Sequence, residues 1–398
     1  MTVANRFTYE PLTESTATTL ALELKLFPKD AVLTCNEIGD GNLNLVFHVS
    51  DKINGKSIII KQALPYAKVV GESWPLTLKR NQIEANALRV AAKYVPELVP
   101  VVHFTDENLA ITVMEDLSHL EISRKGLIDG KHFPLLSKHI GTYLAKTLFY
   151  TSDYALDPKV KKEQVQEFIN PELCKITEDL VFTDPFFDKD TNNFEDGLTS
   201  AVHNLWNDAE VKLEVAKLKK KFLTNAEALL HGDLHTGSIF ASELETKVID
   251  PEFAYYGPMG FDIGQFIANL LLNSLSVNQE NQHKLFTHID TTWHVFNTEF
   301  TRLWNEESTE EYSKIPGFLD YTLKEIFEDT IGFAGCELIR RTIGLAHVAD
   351  LDGIENEATR LVAKNNAIEL GKYLLKHRTN ISTTEELLQR VRSVLQHD

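Results

Sequence analysis

A change of hydrophobic period near residue 116 constrains this chain more than any other feature. Before it, apolar residues sit in short runs or alternate, as in "NLNLVFHV" and "SIIIKQ"; after it, they recur at helical spacing. Successive strand residues face opposite sides, whereas helical residues three and four apart share a face. A chain that changes period once in this way is predicted to be α+β. It should have a β-rich N-terminal lobe with one crossing helix and a larger, mainly helical C-terminal lobe. The predicted division is 1–116 and 117–398, joined by the short run "MEDLSH". A length of 398 residues also favours two cores over one.

"TATTLALELKLF" is predicted as an amphipathic helix. "LTCNEIGDGNLNLVFHVS" reads as strand, Gly-rich turn and strand, and Asn54-Gly55 as a two-residue hairpin turn. "RNQIEANALRVAAKYV" is the crossing helix and "PVVHFTDENLAITVMED" two further strands. Beyond residue 117 the predicted helices include "LSKHIGTYLAKTLFYTS", "VKLEVAKLKKKFLTNAEALL", "GFDIGQFIANLLLNSL" and most of the chain from Asp320. Short strands are expected only around "GSIFASELETKVIDPEFAYY".

A formal charge of −18 and a pI near 5.3 leave no Lys/Arg stripe to displace counterions from phosphates, so no nucleic acid is expected as partner. Cys35, Cys174 and Cys336 lie far apart without C-x-x-C spacing, which supports neither a zinc ribbon nor a disulfide framework. "FIANLLLNSL" is too short to span a bilayer. "MTVANRFTYEPLTEST" lacks a basic segment followed by an apolar core, so no signal peptide, no membrane association and a cytoplasmic location are expected.

Two motifs mislead. "SDKINGKS" nearly matches a Walker A loop, but Ser50 stands where the first glycine is needed and strands flank it on both sides. His231 and His235 have the spacing of a helical zinc pair, yet Gly232 and Thr236-Gly237-Ser238 disfavour a helix there. Gly39-x-Gly41 in "EIGDGNLNLVFHV" precedes a strand, not the helix a dinucleotide fingerprint requires. A strand–glycine turn–strand is instead how kinase-like folds lay backbone N–H groups over ATP phosphates. Lys61 ends an apolar run. By itself it reads equally as a surface lysine or as a cation for α- and β-phosphates, with Glu84 as its helix partner.

His231-Gly232-Asp233, followed after four residues by Ser238, fits the catalytic-loop frame H-x-D-x-x-x-x-N. Asp250-x-Glu252 then stands where phosphotransferases place metal-binding carboxylates. Phosphoryl transfer needs one carboxylate to orient the attacking hydroxyl and others to hold Mg²⁺ against the phosphates. Adjacent helical residues point about 100° apart. Spacing alone therefore favours one salt-bridged and one solvated arginine at Arg340-Arg341.

With these motifs in order, the chain resembles the aminoglycoside-phosphotransferase and choline-kinase branch of the protein-kinase-like fold along essentially its whole length. Trp74 in "KQALPYAKVVGESWPLT", the D-P-E triplet and Arg340-Arg341 are similar to the members acting on 5-methylthioribose in methionine salvage. That resemblance implies ATP and 5-methylthioribose as substrates, Mg²⁺ as cofactor and a homodimer. It implies Gly39, Asp40, Gly41, Asn42, Asn44, Lys61 and Glu84 at the ATP phosphates, with Glu115 and Leu117 at adenine. It further implies Asp233 as the catalytic carboxylate, Trp74, Arg340 and Arg341 at the sugar with Asp233, and Asp250 and Glu252 at the metal. Ser238 replaces the usual metal-binding asparagine, so Asp250 and Glu252 are expected to carry the metal together. Asp262 is expected to brace the catalytic loop. The rival expectations are a kinase for another small alcohol, such as an aminoglycoside, choline or homoserine, and a nucleotide-binding scaffold without catalysis.

Overall fold

The structure, a computed structural model, describes residues 9–38, 43–68 and 71–395, with 71–73 described by backbone alone. Gly39, Asp40, Gly41 and Asn42, expected at the ATP phosphates, lie outside the described residues. The chain divides into two compact units. One runs to Leu120 and takes in Lys247–Phe253; the other comprises Glu121–Thr246 and the chain from Ala254 onward.

In the first unit, helix α1 (Glu14–Glu23) precedes strands β1 (Leu33–Glu37), β2 (Asn44–Asp51) and β3 (Ser57–Ala63). A short hairpin, β4 (Tyr66–Ala67) with β5 (Gly71–Pro75), leads to helix α2 (Lys79–Ala92) and strands β6 (Val102–Asp106) and β7 (Ile111–Glu115). The large sheet is antiparallel in the order β1-β2-β3-β7-β6. Phe47, Val49, Ile58, Ile60 and Val113 pack with Ala17, Ala21 and Phe27 in one apolar cluster. Because strand side chains alternate, Lys61 falls on the opposite face from Ile58 and Ile60, where α2 supplies Glu84.

One expected turn differs. The β2–β3 connection is not a two-residue turn: Ser50 pairs with Ser57, and Asp51 N–H donates to Lys56 O at 2.8 Å. Asp51 Oδ1 accepts the Ile53 N–H (2.9 Å), which bends the chain before Asn54 and leaves the positive φ to Gly55 alone.

The second unit is mainly helical, with long helices at Leu136–Tyr150, Gly260–Ser274, Gln279–Glu307, Phe318–Ile343 and Glu357–His377. The expected helix over "VKLEVAKLKKKFLTNAEALL" stops at Thr224. Asn225 is extended, and Ala228–Leu230 pairs with Tyr255–Gly257 as a two-stranded ribbon. A second small pairing joins Glu121–Ile122 to Ile239–Ala241. Helix Gly260–Ser274 is buried along its whole length and crosses Phe318–Ile343 at two glycines. A Cβ at Gly264 would stand 2.7 Å from Thr330 O, and one at Gly260 2.7 Å from Thr330 N. Both positions thus require glycine for the backbones to approach. This contact fixes Asp262 relative to the helix that carries Arg340 and Arg341.

Candidate active site

The first unit gathers one ionic cluster. Lys61 is buried; its Nζ donates to Glu84 Oε1 at 2.9 Å and also bonds Asp250 Oδ1. Burial opposes the ammonium charge, but Asp250, Glu84 and Glu252 outweigh it and hold the Lys61 pKa above its ordinary value. Burial, together with Asp250 and Glu252, pushes the Glu84 carboxyl up to about 7, against the pull of Lys61. Asp250 has φ 68°, a left-handed conformation sparsely populated by residues other than glycine. Its side chain is 43% exposed, unlike the buried partners around it.

Glu252 is 3% exposed and is held from two sides. Arg80 Nε donates to its Oε2 at 3.0 Å, and Asn44 Nδ2 to the same oxygen at 3.3 Å. Burial raises the Glu252 pKa, Asp250 adds to the rise, and Lys61 and Arg80 oppose it. Arg80 is 0% exposed and spends every N–H it has. Nη1 donates to Leu64 O and Thr77 O at 2.6 and 3.0 Å, and Nη2 to Leu43 O and Asn44 Oδ1, both at 2.8 Å. The start of β2, α2 and the D-P-E triplet are therefore tied through one guanidinium.

Farther along the same unit, Glu115 ends β7 with its carboxylate accepting the Val101 N–H (3.0 Å), and its own N–H donates to Val101 O at 2.9 Å. Leu117 is buried. Between them, burial works against the Asp116 charge, yet hydrogen bonds from Ser118, Ser57 and His48 hold its pKa below the usual range. Trp74, half-buried, lies on β5, in a hairpin rather than an irregular loop.

The second unit holds Asp233 at the end of a sharp turn. Gly232 has φ 84°, which a side chain would resist, and Asp262 accepts the N–H groups of His231 and Gly232 at 2.7 and 3.0 Å. The Leu234 N–H donates to Gln265 Oε1 at 3.2 Å. Ser238 is buried. Its Oγ accepts the His235 N–H (3.0 Å) and faces the carbonyls of Asp233 and His235 at 3.2 and 2.8 Å. Its oxygen thus stitches the loop closed.

Both twin arginines are 7% exposed, which corrects the expectation, drawn from spacing alone, of one solvated arginine. Glu337, one turn back on the same helix, reconciles the 100° divergence by receiving both. Arg340 donates through Nε to Oε2 and through Nη2 to Oε1, and Arg341 Nε donates to Oε1 at 2.8 Å. The two Nη2 groups then meet Asp233 Oδ1, at 3.2 Å from Arg340 and 3.4 Å from Arg341. Burial resists the Asp233 charge, but His235, Arg341 and Arg340 hold its pKa well below the usual carboxylate range. Burial likewise opposes the Glu337 charge, and the two arginines lower its pKa to about 2.

His235 completes this group. Its Nδ1 accepts the Gly237 N–H at 2.9 Å, so the proton of the neutral ring sits on Nε2, which faces Asp233 Oδ2 at 3.4 Å. Burial lowers the His235 pKa to about 4 despite Asp233, which keeps the ring a neutral donor near neutrality.

Asn44, Lys61, Glu84, Asp250 and Glu252 are thus brought together in the first unit, and Asp233, Arg340 and Arg341 in the second. Sequence reasoning missed Arg80, Glu337, His235 as a partner of Asp233, and Arg124. Arg80 stands four residues before Glu84 on the same helix face, and Glu337 precedes the arginines by one turn, so helical spacing carried a signal for both. Nothing local marked Arg124.

Among the described residues no set of three or more His, Cys, Asp or Glu side chains is arranged to hold a metal, and no helix is long and apolar enough to cross a membrane. Asp250 and Glu252 nonetheless offer oxygen donors two residues apart. They suit a hard divalent cation that takes its other ligands from phosphate and water.

A buried strand lysine paired with a helix glutamate in one unit, and an aspartate held ionised on a braced loop in the other, are groups that phosphoryl transfer calls for. Residues 34–279 match the phosphotransferase enzyme family, and the chain belongs to that family. Within it the likeness narrows to one enzyme. The chain is 64% identical to Methylthioribose kinase of Geobacillus sp. (strain WCH70) over 387 residues, 97% of either chain. It is 64% identical to Methylthioribose kinase of Geobacillus thermodenitrificans (strain NG80-2) over 386 residues, 97% of this chain and 98% of that one. Against Methylthioribose kinase of Bacillus pumilus (strain SAFR-032) the identity is 58% over 381 residues, 96% of each.

Proposed function

We propose that the chain is an ATP-dependent kinase that phosphorylates the 1-hydroxyl of 5-methylthioribose. The products are 5-methylthioribose 1-phosphate and ADP, a step of methionine salvage. The observation that carries this reading is Asp233, whose carboxylate is held ionised by Arg340, Arg341 and His235. A carboxylate so acidic is a weak base. Its contribution is to accept a hydrogen bond from the sugar hydroxyl and aim it, taking the proton only as the P–O bond forms. Identity above 60% to methylthioribose kinases along nearly the whole chain supports the choice of sugar.

The first unit, Trp74 apart, is assigned to ATP, and the second to the sugar. Gly39, Asp40, Gly41, Asn42 and Asn44 would line the phosphates through the glycine turn, with Lys61, oriented by Glu84, on the α- and β-phosphates. Glu115 and Leu117 would meet adenine, and Trp74 the sugar with Arg340 and Arg341. Asp250 and Glu252 would hold Mg²⁺, which would supply charge neutralisation at the phosphates. Arg80 and Asn44 aim the Glu252 carboxylate, and the engaged hydroxyl of Ser238 leaves it little part in that task. A homodimer in the cytoplasm completes the proposal.

The decisive assay is ADP release from Mg-ATP with a panel of 5-methylthioribose, an aminoglycoside, choline and homoserine. Stimulation by 5-methylthioribose alone is expected. Stimulation by a different alcohol would replace the substrate, and none by any alcohol would favour a nucleotide-binding scaffold. Full turnover by Glu252→Gln at limiting Mg²⁺ would remove Glu252 from the metal.

A further inference from the structure

Arg124 belongs to the same unit as Asp233, and none of the roles above uses it. One edge of its guanidinium is pinned: Nε donates to Thr236 Oγ1 at 3.2 Å with Asp350 Oδ2 at 3.4 Å, and Nη2 donates to Asn269 Oδ1 at 2.6 Å. Asn269 in turn donates to Glu337 Oε1 at 3.3 Å, and Asn273 fixes Asp350 at 2.8 Å. The other edge is uncommitted, since among the described residues Nη1 makes no hydrogen bond.

The uncommitted edge lies beside the catalytic loop. A side chain at Gly237 would meet Arg124 Nη1 at 3.0 Å and the His235 ring at 2.9 Å, so glycine leaves that approach open. His235 faces Asp233, and Arg341 is near enough to Arg124 for mutual repulsion. Burial first, and then Arg341, lower the Arg124 pKa to about 10, still cationic at neutral pH. Asp350, Asp233 and Glu337 offset that repulsion, so the two guanidinium groups can stay close while Arg124, with only 16% side-chain exposure, keeps N–H donors for a further anion.

We infer that Arg124 and Arg341 together form a receiving site for the phosphoryl group once it is bonded to the sugar, with Asp350 and Asn269 positioning Arg124. This inference rests on the proposed reaction. It assigns Arg124 a role toward the phosphorylated sugar that it does not have toward the free sugar. Planar guanidinium groups suit this task because they present paired N–H donors to phosphate oxygens.

The test is calorimetric titration of nucleotide-free protein with 5-methylthioribose and, separately, with its 1-phosphate. Arg124→Gln is expected to weaken the 1-phosphate by about ten- to a hundredfold, the range of a lost charge-assisted hydrogen bond. Affinity for the free sugar should stay within about twofold. Equal losses for both compounds, or no loss for either, would overturn the inference. If Arg124→Gln does not fold, Arg124→Lys keeps the charge without the fork. It should still lose affinity for the 1-phosphate alone, and unchanged binding would overturn the inference. Wild-type protein that binds neither compound would overturn the proposed substrate, and this inference with it. Wild-type protein that binds both, with a variant that does not discriminate, would sink the Arg124 role alone.

Discussion

Arg80 donates its Nε–H to Glu252 Oε2 at 3.0 Å, and neither side chain is on the surface of its unit. The same helix presents Glu84 one turn later to Lys61. Helix α2 therefore holds both ends of the Asp250-Pro251-Glu252 triplet, one through Lys61 and Asp250 and the other through Arg80. A shift of this helix would disturb Lys61, proposed to meet the phosphates, and the carboxylates together.

Removing the Arg80 guanidinium would take from the buried Glu252 carboxylate its charged partner and from three carbonyls a donor. Arg80→Met is expected to cost about 3–5 kcal/mol of unfolding free energy, measured by urea denaturation. Arg80→Lys should recover part of it, because the charge remains while the fork does not.

Asp233→Asn keeps the shape and removes the charge proposed to aim the sugar hydroxyl. Turnover should fall by roughly 10²–10⁴-fold, the usual span for a positioned acid–base group. Nucleotide affinity, measured by calorimetry, should change by less than about threefold, since the Lys61 cluster is untouched.

Glu337 gives a pH signature. Its folded pKa of about 2 lies below the ordinary 4.5, so its stabilising effect is complete above about pH 4.5 and lost as pH falls toward 2. Between pH 5 and pH 3 it contributes about 2 kcal/mol to the decline of stability. Urea denaturation at the two pH values should show a flatter dependence for Glu337→Gln by that amount. The variant should also raise the KM for the sugar, as Arg340 and Arg341 lose their common acceptor.

Gly264 tests the helix crossing that sets Asp262 against the arginine helix. A methyl group there would stand 2.7 Å from the Thr330 carbonyl oxygen, so Gly264→Ala forces backbone movement. A loss of about 1–3 kcal/mol is expected by thermal or urea denaturation. The corresponding change at Gly55, where an added Cβ would meet no described atom beyond the neighbouring residues within 4 Å, should act only through its positive φ and cost about 1 kcal/mol.

What the sequence settled by itself was whatever depends on local period and spacing. The alternation in "NLVFHV", the run Ile58–Ile60 and the helical spacing beyond residue 117 were enough for the α+β class. The order of glycine turn, strand lysine, helix glutamate, H-G-D loop and D-P-E triplet was enough for the chemistry. Glu337 was legible in principle, since it lies one turn from the arginines it neutralises. The return of Lys247–Phe253 to the first unit was not, because no local property of that segment says which core it will join. Nor was the fate of the twin arginines. Helical geometry sends them apart, and only a buried acceptor between them, with Asp233 brought from 107 residues away, makes both inward positions cheaper than solvent. Arg80 and Arg124 belong to the same class. Whether a cation is solvated or structural depends on which acceptors the fold gathers around it, and these acceptors come from distant parts of the chain.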